Sequence, residues 1–399
     1  MATAVSPVSD ADSSAASCEQ EEQESVSYVP SEQTPLFIGF NQDRSRFACG
    51  NAHGFKVYDC HPLSHVSCRE STDDDGNGGI AYVEMLFRSH IFALVGGGPT
   101  PRYPSNKVMI WDDHQNSCIG ELSFRSQVRA VKLRRDRIVV ALESKVYVYN
   151  FADLRLLLQI DTCANPKGLC AISLSSNSVV LACPSLRKGQ VRIDFHDSKK
   201  PILISAHESA LACLVLTMDG QYLATASSTG TLVRVFNTLD GTLLQEVRRG
   251  KGPADIYSVS FSNDAHWLAL SSHRGTIHIF NLREQMKKGE KQLPNTQSPS
   301  TGTSNGSCSK DITSSGAKLN PGSSLSFMKG FLPSYFSSER SFCQFRLPEK
   351  IKSIVAFAPE QNSIVIVGLN GSFYRCTFDP VQGGQMVQQE HLVFTKLNT

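Results

Sequence analysis

A β-rich unit recurs seven times along this chain of 399 residues, and that recurrence limits the folds the chain can adopt. Each unit, of roughly 40 residues, reads as an apolar strand, a polar turn, a second apolar strand, a small-residue turn and a strand ending in an aromatic. A blade of this size cannot bury its faces alone, so it must stack radially on its neighbours. The sequence therefore predicts an all-β fold, a seven-bladed β-propeller of WD40-like repeats. The units span residues 37–59, 83–113, 128–150, 169–195, 211–237, 256–281 and 351–378.

Two segments fall outside this pattern. Residues 1–34 are rich in Ser and Glu and contain no Lys or Arg, which predicts a disordered acidic N-terminal tail. Residues 35–399 would form the propeller, interrupted in blade six at about 284–340 by a stretch rich in Ser, Thr, Gly, Asn and Lys. An insertion of this length in a compact fold is expected to be partly disordered or functional.

The overall charge is nearly balanced. Lys and Arg number 39 against 37 Asp and Glu, a formal net charge of +2. We therefore expect no nucleic-acid partner, and any anion binding must be local. The 12 cysteines form no CxxC pair, the N-terminus lacks a secretory pattern, and no stretch approaches a membrane span. These features predict free thiols in a reducing compartment and at most peripheral membrane contact.

An arginine pair lies between the fifth and sixth units. The string Val247, Arg248, Arg249, Gly250 follows a strand, and neighbouring side chains of a strand point to opposite faces. The two arginines would therefore reach into two different crevices. The guanidinium fork suits phosphate oxygens, because it donates two parallel, charge-assisted hydrogen bonds. The alternative is an edge strand that is protected from aggregation by positive charge.

The end of the insertion changes character. Its apolar residues repeat with helical spacing, although Gly330 and Pro333 oppose a stable free helix. Such a segment suits a bilayer interface, where aromatics and Lys are well accommodated. The alternative is a flap packed on the sixth blade. The predicted membrane-contact residues are Phe327, Met328, Phe331, Leu332, Tyr335 and Phe336.

The repeats, the insertion and the Arg-Arg-Gly string together resemble the PROPPIN family, the β-propellers that bind polyphosphoinositides. The family hallmark is Phe- or Leu-Arg-Arg-Gly after the fifth blade, and Val247 departs from it in the first position. The resemblance covers residues 36–395 and is strongest in four strings. These are GGGPTPRYPSNKVMIWDD (96–113), VRAVKLRRDRIVV (128–140), NPKGLC (165–170) and FLPSYFSS (331–338).

The resemblance implies two pockets on the propeller rim that bind phosphatidylinositol 3-phosphate and phosphatidylinositol 3,5-bisphosphate. The first pocket would use His207, Ser227, Thr229, Thr231, Arg234 and Arg248. The second would use Arg249, Ser271, Ser272, Thr276 and His278. Thr229 stands where similar proteins often have Lys, which would weaken the first pocket. Hydroxyl and imidazole groups complement phosphate and inositol oxygens, while the arginines supply charge.

Each of these residues also has a structural interpretation. His207 begins a repeat where Gly-His does in ordinary WD repeats, and that histidine commonly orders the blade. The Ser and Thr residues are typical turn residues by composition. Arg234 lies in a strand, where it would face solvent or pair with an acid.

Other motifs give no sign of catalysis. A compact Cys/His cluster matches no zinc-binding spacing, and the glycine run 96–98 is not followed by Gly-Lys-Ser/Thr. The zincin motif H-E-x-x-H is absent from the sequence. We therefore predict no enzyme, no metal and no cofactor. The cluster consists of Cys60, His61, His65 and Cys68.

The first blade's tight turn offers a candidate partner site. In the subgroup that this chain resembles, the corresponding Asn-x-Asp turn docks the large lipid-transfer protein of autophagy. The resemblance implies the same role for Asn41 and Asp43. The alternative is ordinary turn chemistry.

The resulting hypothesis is a monomeric, non-enzymatic adaptor that binds 3-phosphorylated phosphoinositides and membrane surfaces in autophagosome formation. The resemblance implies a cytoplasmic protein, peripheral on preautophagosomal, endosomal or vacuolar/lysosomal membranes. The competing hypothesis is a WD-repeat protein–protein scaffold without a lipid ligand.

Overall fold

The structure is a computed structural model that describes residues 34–70, 78–175, 179–196, 200–282 and 338–397. Within these ranges the chain forms seven sheets, one for each blade, and nearly every strand pairing is antiparallel. The prediction of an all-β, seven-bladed propeller is therefore confirmed. The predicted tail at 1–33 and residues 283–337 of the predicted insertion lie outside the described residues.

The first four blades are built from consecutive strands. Blade one contains β1 Phe37–Phe40, β2 Arg46–Gly50, β3 Gly54–Cys60 and β4 Leu63–Glu70. Blade two contains β5 Ile80–Met85, β6 Ile91–Gly96, β7 Lys107–Asp112 and β8 Ser117–Ser123. Blade three contains β9 Ala130–Arg134, β10 Arg137–Ala141, β11 Lys145–Asn150 and β12 Leu156–Asp161. Blade four contains β13 Ala171–Ile172, β14 Val180–Pro184, β15 Gln190–Phe195 and β16 Ile202–Ser205.

The last three blades include two short additional strands. Blade five contains β17 Leu211–Leu216, β18 Tyr222–Ser227, β19 Leu232–Asn237, β20 Leu243–Arg248 and the edge strand β24 Glu339–Arg340. Blade six contains β21 Ile256–Phe261, β22 Trp267–Ser272, β23 Thr276–Asn281, β25 Cys343–Arg346 and the edge strand β29 Gly384–Gln385. Blade seven contains β26 Ser353–Phe357, β27 Ser363–Gly368, β28 Ser372–Thr377 and β30 Val387–Val393, followed by a 3-10 turn at Phe394–Lys396.

The first strand of each blade lies toward the centre of the ring. These inner strands contact one another in the order β1, β5, β9, β13, β17, β21, β26, and β26 contacts β1 again. The second strands, such as β14 and β22, are buried along their whole length. A strand covered on both faces needs a continuous apolar run, which explains why the repeats read as blocks rather than strict alternation.

The hydrophobic core is divided among the gaps between blades. Val247 of blade five, for example, packs with Ile256, Leu268 and Phe280 of blade six. The last gap, between blades seven and one, closes the ring in the same way, with Phe373 and Phe47 stacked at 6.1 Å between ring centroids. Because every blade buries one face on each neighbour, the rim positions of adjacent blades are fixed relative to one another.

Candidate anion-binding site

The arginine pair ends the outer strand of blade five. Val247 on β20 is fully buried in the core between blades five and six, and Gln245 on the same face donates to the Asn281 carbonyl of blade six at 3.1 Å. By strand alternation Arg249 follows this face, toward blade six, while Arg248 lies on the opposite face with Glu246. The amide of Arg249 still pairs with the Thr231 carbonyl at 2.9 Å, so the extended geometry continues through the pair.

On the face of Arg248, a second arginine is held by an acid. Arg234 donates from Nε to Oε2 of Glu246 at 2.8 Å and from a terminal nitrogen to the Ala206 carbonyl at 2.6 Å. This is the ion pair that the sequence left open as an alternative role for Arg234. Arg248 itself is only 5% exposed and lies on β20 between Leu232 and Arg340.

His207 lies beside this arginine cluster. Its Nε2 is 2.9 Å from the Thr225 hydroxyl, and the neighbouring residue Ala206 accepts the hydrogen bond from Arg234. Burial, together with the positive charge of Arg234, lowers the pKa of His207 to about 4. The imidazole is therefore neutral at pH 7 and acts as a hydrogen-bonding group rather than as a cation.

The turn between β18 and β19 contacts Arg249 and the loop that follows it. Thr229 is exposed, and its hydroxyl is 3.0 Å from that of Ser209, whereas Ser227 is buried. Gly230 has a φ of +63°, and a Cβ at this position would lie 1.7 Å from the Ala254 carbonyl oxygen. Only glycine therefore fits where the turn meets the loop that follows Arg249. The Thr231 carbonyl accepts from the Arg249 amide, and the next residue, Leu232, is paired with Arg248. Thr231 therefore lies opposite Arg249 in the strand pairing, whereas the sequence assigned it to the pocket of Arg248.

Arg249 is fixed by backbone oxygens. Its Nε donates to the Gly230 carbonyl at 2.6 Å, and a terminal nitrogen donates to the Gly252 carbonyl. Burial and, secondarily, the charge of Arg249 lower the pKa of His278 to about 4. The structure thus brings Arg249 and His278 together, as the sequence predicted for the second pocket.

Two polar groups of blade six are buried and have no hydrogen-bond partner among the described residues. These are the Ser272 hydroxyl and Nδ1 of His278, which belong to residues only 1% and 6% exposed. Buried polar groups in folded proteins nearly always make hydrogen bonds, so these two groups are candidates to bond ligand oxygens. Both groups can donate, since a neutral imidazole can carry its proton on Nδ1.

The other two residues of the second predicted pocket differ from each other. The Ser271 hydroxyl donates to the Ser353 carbonyl at 2.6 Å, which links blade six to blade seven. Ser271 is also completely buried. Thr276 is half-buried at the start of β23, in register with Arg346. Sequence reasoning missed Thr225, which partners His207, because a Thr within a strand carries no signal of its own.

The polar groups of the first-blade turn bond within the turn and to neighbouring blades. Asn41 is 3% exposed, its side-chain amide donates to the Phe87 carbonyl at 3.2 Å, and its Oδ1 accepts from the Arg46 amide at 3.0 Å. Asp43 is half-buried and accepts from the Ser45 amide at 3.0 Å. Next to them, the guanidinium of Arg44 donates to the Phe261 carbonyl of blade six. The contact of Asp43 is turn chemistry, whereas Asn41 also links blade one to blade two.

The remaining candidates are placed as follows. In the described part of the chain, no three His, Cys, Asp or Glu side chains come together as a metal site requires. Cys60 is buried, which raises the pKa of its thiol to about 12. The predicted membrane-contact residues 327–336 lie outside the described residues. Among the residues that are described, no helix combines the length and hydropathy needed to cross a membrane.

Comparison with known proteins agrees with this architecture. A family model described as PROPPIN matches residues 36–391. Autophagy-related protein 18e of Arabidopsis thaliana is 44% identical over 366 residues, covering 91% of this chain and 88% of that protein. The solved structure of Kluyveromyces lactis Hsv2 matches with a TM-score of 0.67 at 21% identity, over 90% of this chain and 99% of that one.

A second solved structure, that of KlAtg21 in complex with the coiled-coil of AgAtg16, matches with a TM-score of 0.67 at 23% identity. It covers 90% of this chain and 99% of that one. At such identities the structural matches establish the fold, while the family model and the Arabidopsis relative span nearly the whole propeller. The chain belongs to the PROPPIN family.

Proposed function

We propose that this protein is a non-enzymatic adaptor that binds phosphatidylinositol 3-phosphate and phosphatidylinositol 3,5-bisphosphate during autophagosome formation. The observation that carries the proposal is the divergence of Arg248 and Arg249 from one strand toward opposite faces of blade five. The unsatisfied Ser272 and His278 groups of blade six would add hydrogen-bond donors for phosphate or inositol oxygens.

Two sites on one rigid rim have a kinetic consequence. A single phosphate held by one arginine and a few neutral donors binds weakly, since each charge-assisted hydrogen bond contributes about 1.5–3 kcal/mol. Once the first headgroup is bound, the second binding event becomes intramolecular, so the two sites together prolong residence on a membrane. The shared core between blades five and six keeps the spacing of the two sites constant.

The insertion supplies further membrane contact in this proposal. Its aromatic residues, Phe327 to Phe336, would enter the bilayer interface. Lys287, Lys288, Lys291 and Lys329 would be attracted to anionic lipids, at about 1 kcal/mol each near the surface. The protein would thus be cytoplasmic and peripheral on preautophagosomal, endosomal or vacuolar/lysosomal membranes.

Protein partners complete the adaptor role. Matching relatives carry autophagy names, and KlAtg21 was solved with a coiled-coil of AgAtg16. For this chain we propose the large lipid-transfer protein of autophagy as a partner at the first-blade turn. Asp43 is the accessible member of the predicted pair there, because Asn41 is buried. The adaptor would act as a monomer.

The deciding experiment is liposome flotation with a double variant, Arg248→Thr/Arg249→Thr. Vesicles of phosphatidylcholine with either lipid should float the unaltered protein, and the variant should remain at the level seen with phosphatidylcholine alone. Arg125→Thr/Arg155→Thr is the matched control, since it removes the same charge at exposed positions elsewhere on the ring. That control should float normally.

The competing scaffold hypothesis predicts a different result. A WD-repeat scaffold without a lipid ligand would float with neither lipid, whether or not the arginine pair is intact. Undiminished flotation of the Arg248/Arg249 double variant would likewise refute the assignment of the sites. Circular dichroism and urea unfolding of each variant distinguish lost binding from lost folding.

A further inference from the structure

The segment that follows residues 283–337 pairs with β20, the strand that ends at Arg248. β24, at Glu339–Arg340, pairs in parallel with β20 on the outer edge of blade five, although the next strand, β25, belongs to blade six. In this pairing Val247 lies opposite Glu339, and Arg248 lies opposite Arg340. A third arginine is therefore in register with the arginine pair.

The register determines which face each side chain occupies. Residues directly paired across neighbouring strands project from the same face of a sheet. Glu339 therefore shares the face of Val247 toward blade six, and its Oε2 accepts a hydrogen bond from Gln245 on that face at 2.8 Å. Arg340 consequently lies on the opposite face, with Arg248.

The charges on this face are unequal. Among the described residues of strands β19, β20 and β24, three guanidinium groups and one carboxylate, that of Glu246, belong to this face in the register. The nearby His207 adds no charge at neutral pH, because burial lowers its pKa to about 4. Glu339 is kept on the other face by the same register. The arginines are Arg234, Arg248 and Arg340.

The burial of the arginines is graded. Arg248 is 5% exposed, whereas Arg340 is exposed at the outer edge. Neighbouring strands lie about 4.8 Å apart, so the two side chains start one strand spacing from each other. Long guanidinium side chains with this separation can each contact a different phosphate on one small ring.

We infer that Arg340 binds the second phosphate of an inositol ring that carries two, while Arg248 binds the first. This inference rests on the proposed function and deepens it, since it names the doubly phosphorylated headgroup as the preferred ligand of the first pocket. The alternative is that the charge of Arg340 only protects a strand edge or attracts anionic membranes in general.

The test compares two lipids and two forms of each headgroup. Arg340→Gln is the variant, and Arg155→Gln is its control, an exposed arginine just before the outer strand of blade three. Vesicle affinity is measured with phosphatidylinositol 3-phosphate and with the 3,5-bisphosphate. Isothermal titration with the soluble headgroup of each lipid forms the second arm.

Arg340→Gln should lose about tenfold in affinity for the 3,5-bisphosphate in both arms, because it removes one charge-assisted contact. Affinity for the monophosphate should stay within about twofold, and the control should match the unaltered protein. Equal losses for both lipids, a loss confined to vesicles, or no loss at all would overturn the inference. If the unaltered protein binds neither lipid, the proposed function itself fails.

Discussion

The side-chain amide of Gln245 lies 2.8 Å from a carboxylate oxygen of Glu339, 94 positions later in the chain. The same nitrogen donates to the Asn281 carbonyl at 3.1 Å. Asn281 ends the strand before residues 283–337, and Glu339 begins the strand after them. Gln245 on β20 therefore bonds to the chain on both sides of residues 283–337.

Gln245→Ala should loosen β24. It removes both hydrogen bonds, each with a net value of about 1–2 kcal/mol, so the outer edge of β20 should open more often. Hydrogen exchange measured by mass spectrometry should show at least tenfold faster exchange in a peptide containing residues 338–340. Gln389→Ala, on the exposed outer strand of blade seven, is the control and should leave this exchange unchanged. Equal protection of residues 338–340 in both variants would show that the two hydrogen bonds of Gln245 do not stabilise the pairing of β24 with β20.

Single substitutions of the arginine pair should each remove one of the two sites. Because the side chains occupy opposite faces, Arg248→Thr should leave the pocket of His278 intact, and Arg249→Thr should leave that of His207. Isothermal titration with a soluble 3-phosphorylated headgroup should show the stoichiometry falling from two to one in either variant. A single variant that abolished all binding would indicate one shared site instead.

His278 should make stability depend on pH in one direction. Burial lowers its pKa from 6.5 to about 4. Between these two pH values the imidazole is protonated in the unfolded chain and neutral in the folded protein. The stabilising contribution is complete above pH 6.5 and is lost as the pH falls through 4. The free energy of unfolding should therefore decrease by up to ~1.4 kcal/mol per pH unit from this group.

The measurement compares urea unfolding at about pH 7.5, 6.5, 5.5 and 4.5 for His278→Gln and the unaltered protein. The variant should lose less stability on acidification. His53→Gln, at an exposed position, should keep the slope of the unaltered protein. Parallel curves for His278→Gln and the unaltered protein would contradict a neutral, buried imidazole.

The sequence predicted three strands of every blade and missed the fourth. Each recurring unit ends with the third strand, for example at residue 150 in blade three and near 281 in blade six. The outer strands are half exposed, so polar residues enter them and weaken the apolar signal, as in VQQEHLV of β30. The inner three strands are covered on both sides, and burial keeps their composition distinctive.

At the site, local geometry was more predictable than side-chain partners. The opposite orientation of Arg248 and Arg249 follows from strand alternation alone. The partners of Arg234 and Ser271 do not, because Glu246 and Ser353 reach them through strand pairing and blade packing. Arg340 escaped notice because it follows a Ser-rich stretch whose sequence gives no sign that it returns as an edge strand of blade five.

Asn41→Ala should destabilise the ring more than a change at Asp43. Asn41 joins blade one to the Phe87 carbonyl of blade two and accepts from the Arg46 amide, and it is almost fully buried. Its removal leaves both backbone groups without these partners, at a cost of about 1–3 kcal/mol.

Among the described residues, Asp43 bonds within its own turn, through Ser45, so Asp43→Asn should cost less than about 1 kcal/mol. Urea unfolding with equal slopes for both variants gives the two costs directly. Lost partner binding in Asn41→Ala would then reflect the altered turn, because the side chain itself is 3% exposed. Asp43→Asn is consequently the variant that tests docking of the lipid-transfer protein. Equal stability of Asn41→Ala and the unaltered protein would show that the buried amide is dispensable and return Asn41 to the candidate interface.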